Sequence, residues 1–200
     1  YANLLRNTGR LDESIINYKK SIELNPKHYK AYNNLAITLH DIGQLHDARV
    51  LLDQAIKIEE KNFLAFYNIA NVYRDLGLSY AAIENYEKAK DLNSNHLPIY
   101  NNLGLVLFNI GRYEEAILEF EFVIERDPKN AASIQNLSSC YRAIGEFEKA
   151  LKFNTLSFDL NTDNKLTDRL LTNRAGIEFD SGLFDESVLN NNKALEINPK

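Results

Sequence analysis

Apolar residues recur at three- and four-residue spacing along this chain, in blocks of about a dozen residues broken by glycine. Between Ala31 and Ile42 they are Tyr32, Leu35, Ala36 and Leu39. Gly43 interrupts, and Ala48, Leu51, Leu52, Ala55, Ile56 and Ile58 then resume the rhythm. This spacing gathers apolar side chains on one stripe of a helix, so the pattern predicts a helix, a turn and a second helix. Glycine belongs in that turn because a helix stop commonly needs a left-handed residue. Asp12, Glu114, Glu146 and Asp185 stand where the second helices open, and the helix dipole favours acid there. Pro26, Pro128 and Pro199 stand seventeen residues after their glycines, where a residue that cannot continue a helix marks its end.

The unit repeats. Gly9, Gly43, Gly77, Gly111 and Gly145 are each 34 residues apart, and Gly182 follows after 37. Five residues beyond each glycine lies a small side chain: Ser14, Ala48, Ala82, Ala116, Ala150 and Ser187. Nine residues before all but the first lies an asparagine: Asn34, Asn68, Asn102, Asn136 and Asn173. A period of this length signifies an array of like supersecondary units, each burying its apolar face on its neighbours. Helices this short are marginal alone in water, so their stability must come from packing. The small residues then mark where paired helices cross, and Tyr18, Leu52, Tyr86 and Phe120 fill the space beyond. Cutting one of these to Ala should cost about 2 to 5 kcal/mol.

Bulk properties narrow the functional classes. The 200 residues are 44% hydrophobic and 26% charged, with no apolar run near the roughly 18 residues of a membrane span, so no membrane insertion is expected. A net charge of −5 argues against nucleic acid as a main partner, which needs clustered Lys and Arg. Cys140 is the one cysteine, which excludes a disulfide framework and a thiolate metal site and fits a reducing compartment such as the cytoplasm. No methionine occurs, even at position 1, and the sequence reads as a piece of a longer protein.

In the fourth unit the key positions are Tyr100, Leu103, Gly104, Leu107, Ala116, Phe120, Val123 and Pro128. In the third they are Phe66, Ile69, Ala70, Tyr73, Ala82, Tyr86, Ala89 and Ser94. This pattern resembles the tetratricopeptide repeat over the whole chain. The resemblance implies an all-α fold, a right-handed superhelical solenoid of antiparallel helix pairs. It would form a single domain over 1–200 with about six repeats: 1–28 (partial), 29–62, 63–96, 97–130, 131–164 and 168–200. The last repeat departs from the pattern, with three extra residues before it and Arg174 and Glu178 where Leu137 and Tyr141 stand one repeat earlier. Asn154 and Asn191 replace the expected aromatic. Two readings stand open. A shifted helix would turn Leu170, Leu171, Ile177 and Phe179 inward and leave Arg174 and Glu178 as an exposed i,i+4 pair. Alternatively, the fifth and sixth units hold a polar pocket. Missing capping helices would leave apolar ends, and self-association through them predicts a concentration-dependent mass.

No catalytic constellation stands out, and neither cofactor nor metal is expected. His28, His40, His46 and His96 lie near turns without metal-ligand spacing, and no Gly-Lys-Ser/Thr phosphate loop is present. Cys140 is read as a half-buried spacer in a first helix. Asn136-Leu137-Ser138 matches a glycosylation sequon, but within a helix.

The informative polar residues are those that repeat. Positions at the asparagine and three, six and seven beyond it share one side of each first helix, away from the core stripe. In tetratricopeptide proteins that side lines a concave groove for extended peptides or partner helices. The resemblance thus implies a partner-binding groove of Asn34, Asn68, Asn102, Asn136 and Asn173 with Asn71, His40, Arg74, Phe108 and Arg142. Asp41, Asp75, Asn109 and Tyr67 complete it. An asparagine amide both donates and accepts, so a ladder of them can grip an extended backbone or, alternatively, tie neighbouring helices together. Five such contacts at about 0.5 to 1.5 kcal/mol each scarcely offset an association cost of about 4 to 15 kcal/mol. Specificity would then rest on Arg74, Arg142, Phe108 and Tyr67. Some relatives grip the carboxylate tail of chaperones with a clamp whose lysine is replaced here by Asn33, Tyr67 and Asn101, so that ligand is not expected. The partner expected is a protein or peptide. An alternative is the substrate-recruiting or regulatory arm of a larger enzyme, as in the asparagine-ladder superhelix of O-linked N-acetylglucosamine transferase.

Overall fold

The structure, a computed structural model, describes residues 1–161 and 167–199. Among these residues the regular elements are twelve α-helices and no strand. They form two compact units, Tyr1–Asn102 and Leu103–Lys200. The first contains α1 (Ala2–Asn7), α2 (Leu11–Leu24), α3 (Tyr29–Asp41), α4 (Leu45–Ile58), α5 (Phe63–Asp75), α6 (Ser79–Leu92) and the beginning of α7 (Leu97–Asn109). The second contains the end of α7 with α8 (Tyr113–Arg126), α9 (Ala131–Ala143), α10 (Phe147–Leu160), α11 (Thr167–Asp180) and α12 (Phe184–Ile197). Within the units α1 packs on α2, α3 on α4, α5 on α6, α9 on α10 and α11 on α12, and the second helices α2, α4, α8 and α10 pack on the first helices that follow them. First helices also touch directly, α3 against α5 and α9 against α11.

The turn inside each pair has one geometry, seen clearly after α3. Gly43 takes φ 78°, a conformation that costs a side-chain-bearing residue but not glycine. This lets Gly43 N–H reach His40 O at 2.9 Å and Gln44 N–H reach Leu39 O at 2.8 Å, satisfying two carbonyls at the helix end. The long-reach bond recurs at Arg10, Leu78, Arg112, Glu146 and Leu183. Second helices α2, α8 and α12 each stop two residues before Pro26, Pro128 and Pro199.

Packing follows the small and large positions. Ala48, Ala82, Ala116 and Ala150 are fully buried where the helices cross. Serine serves the same place at both ends. Ser14 donates to Ala2 O at 3.0 Å and Ser187 to Ala175 O at 2.8 Å, so neither hydroxyl is buried unpaired. Tyr18, Leu52, Tyr86 and Phe120 are buried beyond the crossing. Phe120 lies so close to α7 that a Cβ at Gly104 would meet its ring at 2.8 Å, and Gly104 stands where Ala36 and Ala70 stand in earlier repeats.

The last pair overturns part of the shifted-helix reading. Leu170 and Ile177 are buried as that reading expects, but Phe179 is 61% exposed and rests edge-on against Phe184. Glu178, expected on the surface, is only 3% exposed. It occupies the inward position of Leu39, Leu107 and Tyr141, and its charge is met by Arg174 Nε at 3.0 Å and Asn190 Nδ2 at 2.8 Å. Polarity also extends to Asn154, buried in the aromatic position, whose amide donates to Leu170 O at 3.1 Å. The insertion expected at 165–167 falls largely outside the described residues. Cys140 is fully buried, not half-buried, because α9 turns it into the core.

Candidate functional site

In the first unit the asparagine ladder is a set of bonds between neighbouring first helices. Asn34 Nδ2 donates to Asn3 Oδ1 at 3.2 Å, Asn68 Nδ2 to Asn33 Oδ1 at 2.9 Å, and Asn102 Nδ2 to Asn71 Oδ1 at 2.8 Å and Tyr67 OH at 3.1 Å. A tyrosine joins two of these links. Tyr86 OH donates to Asn71 Oδ1 at 2.6 Å, and Tyr18 OH donates to Asn3 Oδ1. Asn3, Tyr18 and Asn34 thus form the same triad as Asn71, Tyr86 and Asn102, one oxygen receiving two donors. Its sequence signal is an asparagine followed by tyrosine after 15 residues and asparagine after 31. Burial pushes the Tyr86 phenol well above its ordinary range, so it stays a donor.

The repeat between them lacks the triad, because Ile37 and Leu52 stand at the Asn71 and Tyr86 positions. Leucine is shorter than tyrosine and isoleucine offers no acceptor, so the Asn68 amide turns to Asn33 instead. What remains is a hollow of about 220 Å³ between α3 and α5. Its apolar floor is Ala36, Ile37, Leu52 and Val72, and His40, Asp41, Asn68 and Asn71 form its polar rim. Four groove residues expected from the sequence therefore line one cavity, whose floor residue Leu52 was expected only as a packing residue.

Beside the hollow runs a charged link. His40 Nε2 lies 2.7 Å from Asp75 Oδ2, and Arg74 Nε donates to Asp75 Oδ1 at 2.8 Å. Burial opposes ionisation of Asp75, but the bonds from Arg74 and His40 outweigh it and hold the carboxyl below its ordinary range. Tyr67 packs against His96 and Tyr86 at ring-centroid distances of 5.3 and 6.1 Å. Partial burial lowers the His96 pKa and favours its neutral form.

In the second unit the same register gives a second ion pair. Arg142 Nε donates to Asp180 Oδ2 at 2.6 Å, joining α9 to α11 as His40 and Asp75 join α3 to α5. Gly176 makes this fit, since a Cβ there would run into the Arg142 guanidinium. The Phe108 ring packs at a tilt of 60° against Tyr113, with centroids 5.3 Å apart. Asn136 is half-buried, while Asn109 and Asn173 are exposed.

Successive helix pairs closed by a left-handed glycine, at a 34-residue pitch over the first five glycines, define an α-helical repeat protein. Two profiles of the tetratricopeptide repeat match the sequence, one over residues 17–50 and the other over 1–28, 64–96 and 97–130, together more than half of it. The chain belongs to the tetratricopeptide repeat family. No curated protein sequence matches it. Solved structures of similar fold include MamA, residues 41 to the end, from Desulfovibrio magneticus RS-1, at 20% identity and a TM-score of 0.78. The match covers 84% of this chain and 93% of that one. YrrB, described as a tetratricopeptide protein with an unusual peptide-binding site, is 20% identical over 92% of this chain and 93% of its own, with a TM-score of 0.78. PilF of Pseudomonas aeruginosa is 15% identical, covering 99% and 89%, with a TM-score of 0.82. At these identities the likeness establishes the fold alone. Among the described residues no helix is long and apolar enough to cross a membrane.

Proposed function

We propose that this chain is a protein-interaction module, without chemistry of its own, that holds an extended peptide or partner helix along its first helices. The observation that carries the reading is the hollow between α3 and α5. A site with an apolar floor and a few polar groups at its rim suits an apolar side chain whose backbone is held by amides. His40, Asp41, Arg74, Asp75, Asn68 and Asn71 are the contact residues proposed around it, with Tyr67 and Asn102 beside them. In the second unit Asn136, Asn173, Phe108, Asn109 and Arg142 are proposed for the same role. The ladder amides of the first unit already bond to neighbouring helices, so the grip falls chiefly to the hollow and its rim. The state of Cys140 also favours binding over catalysis. Burial pushes its thiol up to about 12, so no reactive thiolate is populated near neutral pH.

The test is a random-peptide selection on the immobilised chain, with affinities then measured on Ile37→Asp and Asp41→Ala variants. Ile37→Asp should weaken the selected peptides at least tenfold while circular dichroism shows the helices retained. Peptides that bind both variants as tightly as the parent would remove the hollow as the site.

A further inference from the structure

A second surface lies on the opposite kind of element, between second helices. In the second unit a groove of about 360 Å³ runs between α8 and α10 over α9. Leu137 is its floor, Ile124 and Phe153 its walls, and Glu121 and Glu125 its rim. In the first unit a groove of about 520 Å³ includes the residues 102 positions earlier: Leu35 below, Ile22 and Leu51 at the sides, Lys19 and Glu23 above. The repeat builds the groove twice, and the rim decides what each copy can hold. Lys19 partly balances the acids of the first, whereas Glu121 takes its place in the second.

Glu121 is held in place. Tyr141 OH donates to its Oε1 at 2.8 Å, and the Tyr141 ring lies parallel to Phe153 with centroids 5.6 Å apart. The phenol is pushed up to about 12, by burial first and then by Glu121, so it remains a donor. Glu125 sits one helical turn further along α8, with its side chain 74% exposed. Its cation neighbour, Arg126, pairs with it only at 3.6 Å and is shared: the same guanidinium covers the Phe122 ring at 3.4 Å and donates to Phe122 O at 3.2 Å. Lys149 is likewise drawn to Glu146 at 3.3 Å and to the Tyr141 ring. Two carboxylates at i,i+4 repel each other, and a cation between them relieves the repulsion. The field around them has the same sign. Acidic and basic residues balance over residues 1–102, so the whole net charge of −5 falls in residues 103–200.

We infer that the groove between α8 and α10 docks a peptide segment that seats apolar side chains between Ile124 and Phe153, above Leu137, and presents Lys or Arg to Glu121 and Glu125. The site is independent of the first-helix face, and charge complementarity selects its occupant. The first-unit groove is the internal control, because Lys19 shows that the register tolerates a cation.

The experiment uses the full chain and two fluorescein-labelled amphipathic 14-residue peptides, one of Leu and Lys and one of Leu and Glu. Fluorescence anisotropy should show binding of the Leu/Lys peptide and none of the Leu/Glu peptide. Amide shifts should concentrate at Ile124, Leu137 and Phe153. Glu121→Gln with Glu125→Gln should weaken binding about tenfold, and Glu121→Lys with Glu125→Lys should abolish it, with helicity unchanged by circular dichroism. An Ile37→Asp variant should bind this peptide as the parent does, which separates the site from the first-helix hollow. The inference is overturned if neither peptide binds, if both bind alike, if the Gln pair keeps full affinity, or if the shifts fall at Ile37 and Val72. A dimer in sedimentation that the Lys pair dissolves would assign the groove to a second copy of the chain and overturn it as well.

Discussion

Glu178 shows how a single side chain redirects a repeat. It stands in an inward position held by Leu39 and Leu107 elsewhere, and it is buried because Arg174 and Asn190 supply donors. Removing a donor from a buried charge is costlier than removing the charge and its need together. Arg174→Ala should therefore lower stability by about 1 to 2 kcal/mol in urea melts, since its hydrogen bond is to a charged group but its own head is partly solvated. Glu178→Leu should be neutral or stabilising. Equal losses from both would mean that the cluster adds nothing beyond packing. Asp75 supplies a pH test. Its folded pKa lies below the unfolded value of about 3.9, so its ionised form contributes stability above that pH, and the contribution is lost as pH falls through the folded pKa. Asp75→Asn should thus melt lower than the parent at pH 7, and the gap in Tm should close below about pH 4. A gap that persists unchanged at pH 2 would deny Asp75 its link to Arg74 and His40.

Between helices, what matters is which sizes face each other across the crossing. Ala36 and Leu52 line one cavity, Ala70 and Tyr86 are buried at the corresponding positions, and the Phe120 ring lies against Gly104, where no Cβ fits. Alanine at position 104 would gain about 1 kcal/mol of helix propensity but force the ring aside, and overpacking costs about 1 to 3 kcal/mol. Gly104→Ala should therefore be destabilising on balance. Adding Phe120→Leu, which recreates the Ala36 and Leu52 pair, should recover part of the loss. A double variant no better than the sum of its parts would show that the ring is not what Gly104 accommodates. The same reasoning explains the hollow: two repeats fill this space with a tyrosine and an asparagine, and the one between them, carrying Leu52 and Ile37, does not.

For the molecule as a whole, the period and the sizes of side chains were enough to read the helices, their turns and their crossings. These depend on local geometry: a glycine that accepts positive φ, a proline that cannot donate, an apolar stripe every three or four residues. The ladder was legible as a set of positions, but its use was not. Asn68 and Asn102 could equally have pointed at a ligand, and only the approach of α3, α5 and α7 brought acceptors within 3 Å of their amides. Pairs such as Arg142 with Asp180 lie 38 residues apart and have no local signature. The charge total was plain in the composition, whereas its effect at Glu121 and Glu125 depended on which cations the fold had already engaged. Sequence alone therefore determined what repeats in this protein, because repetition is written in spacing. Tertiary structure decided where the repeats differ: which amides are already bonded, which acid is buried, and which groove is left open. Those outcomes depend on side chains from distant positions competing for the same few ångströms.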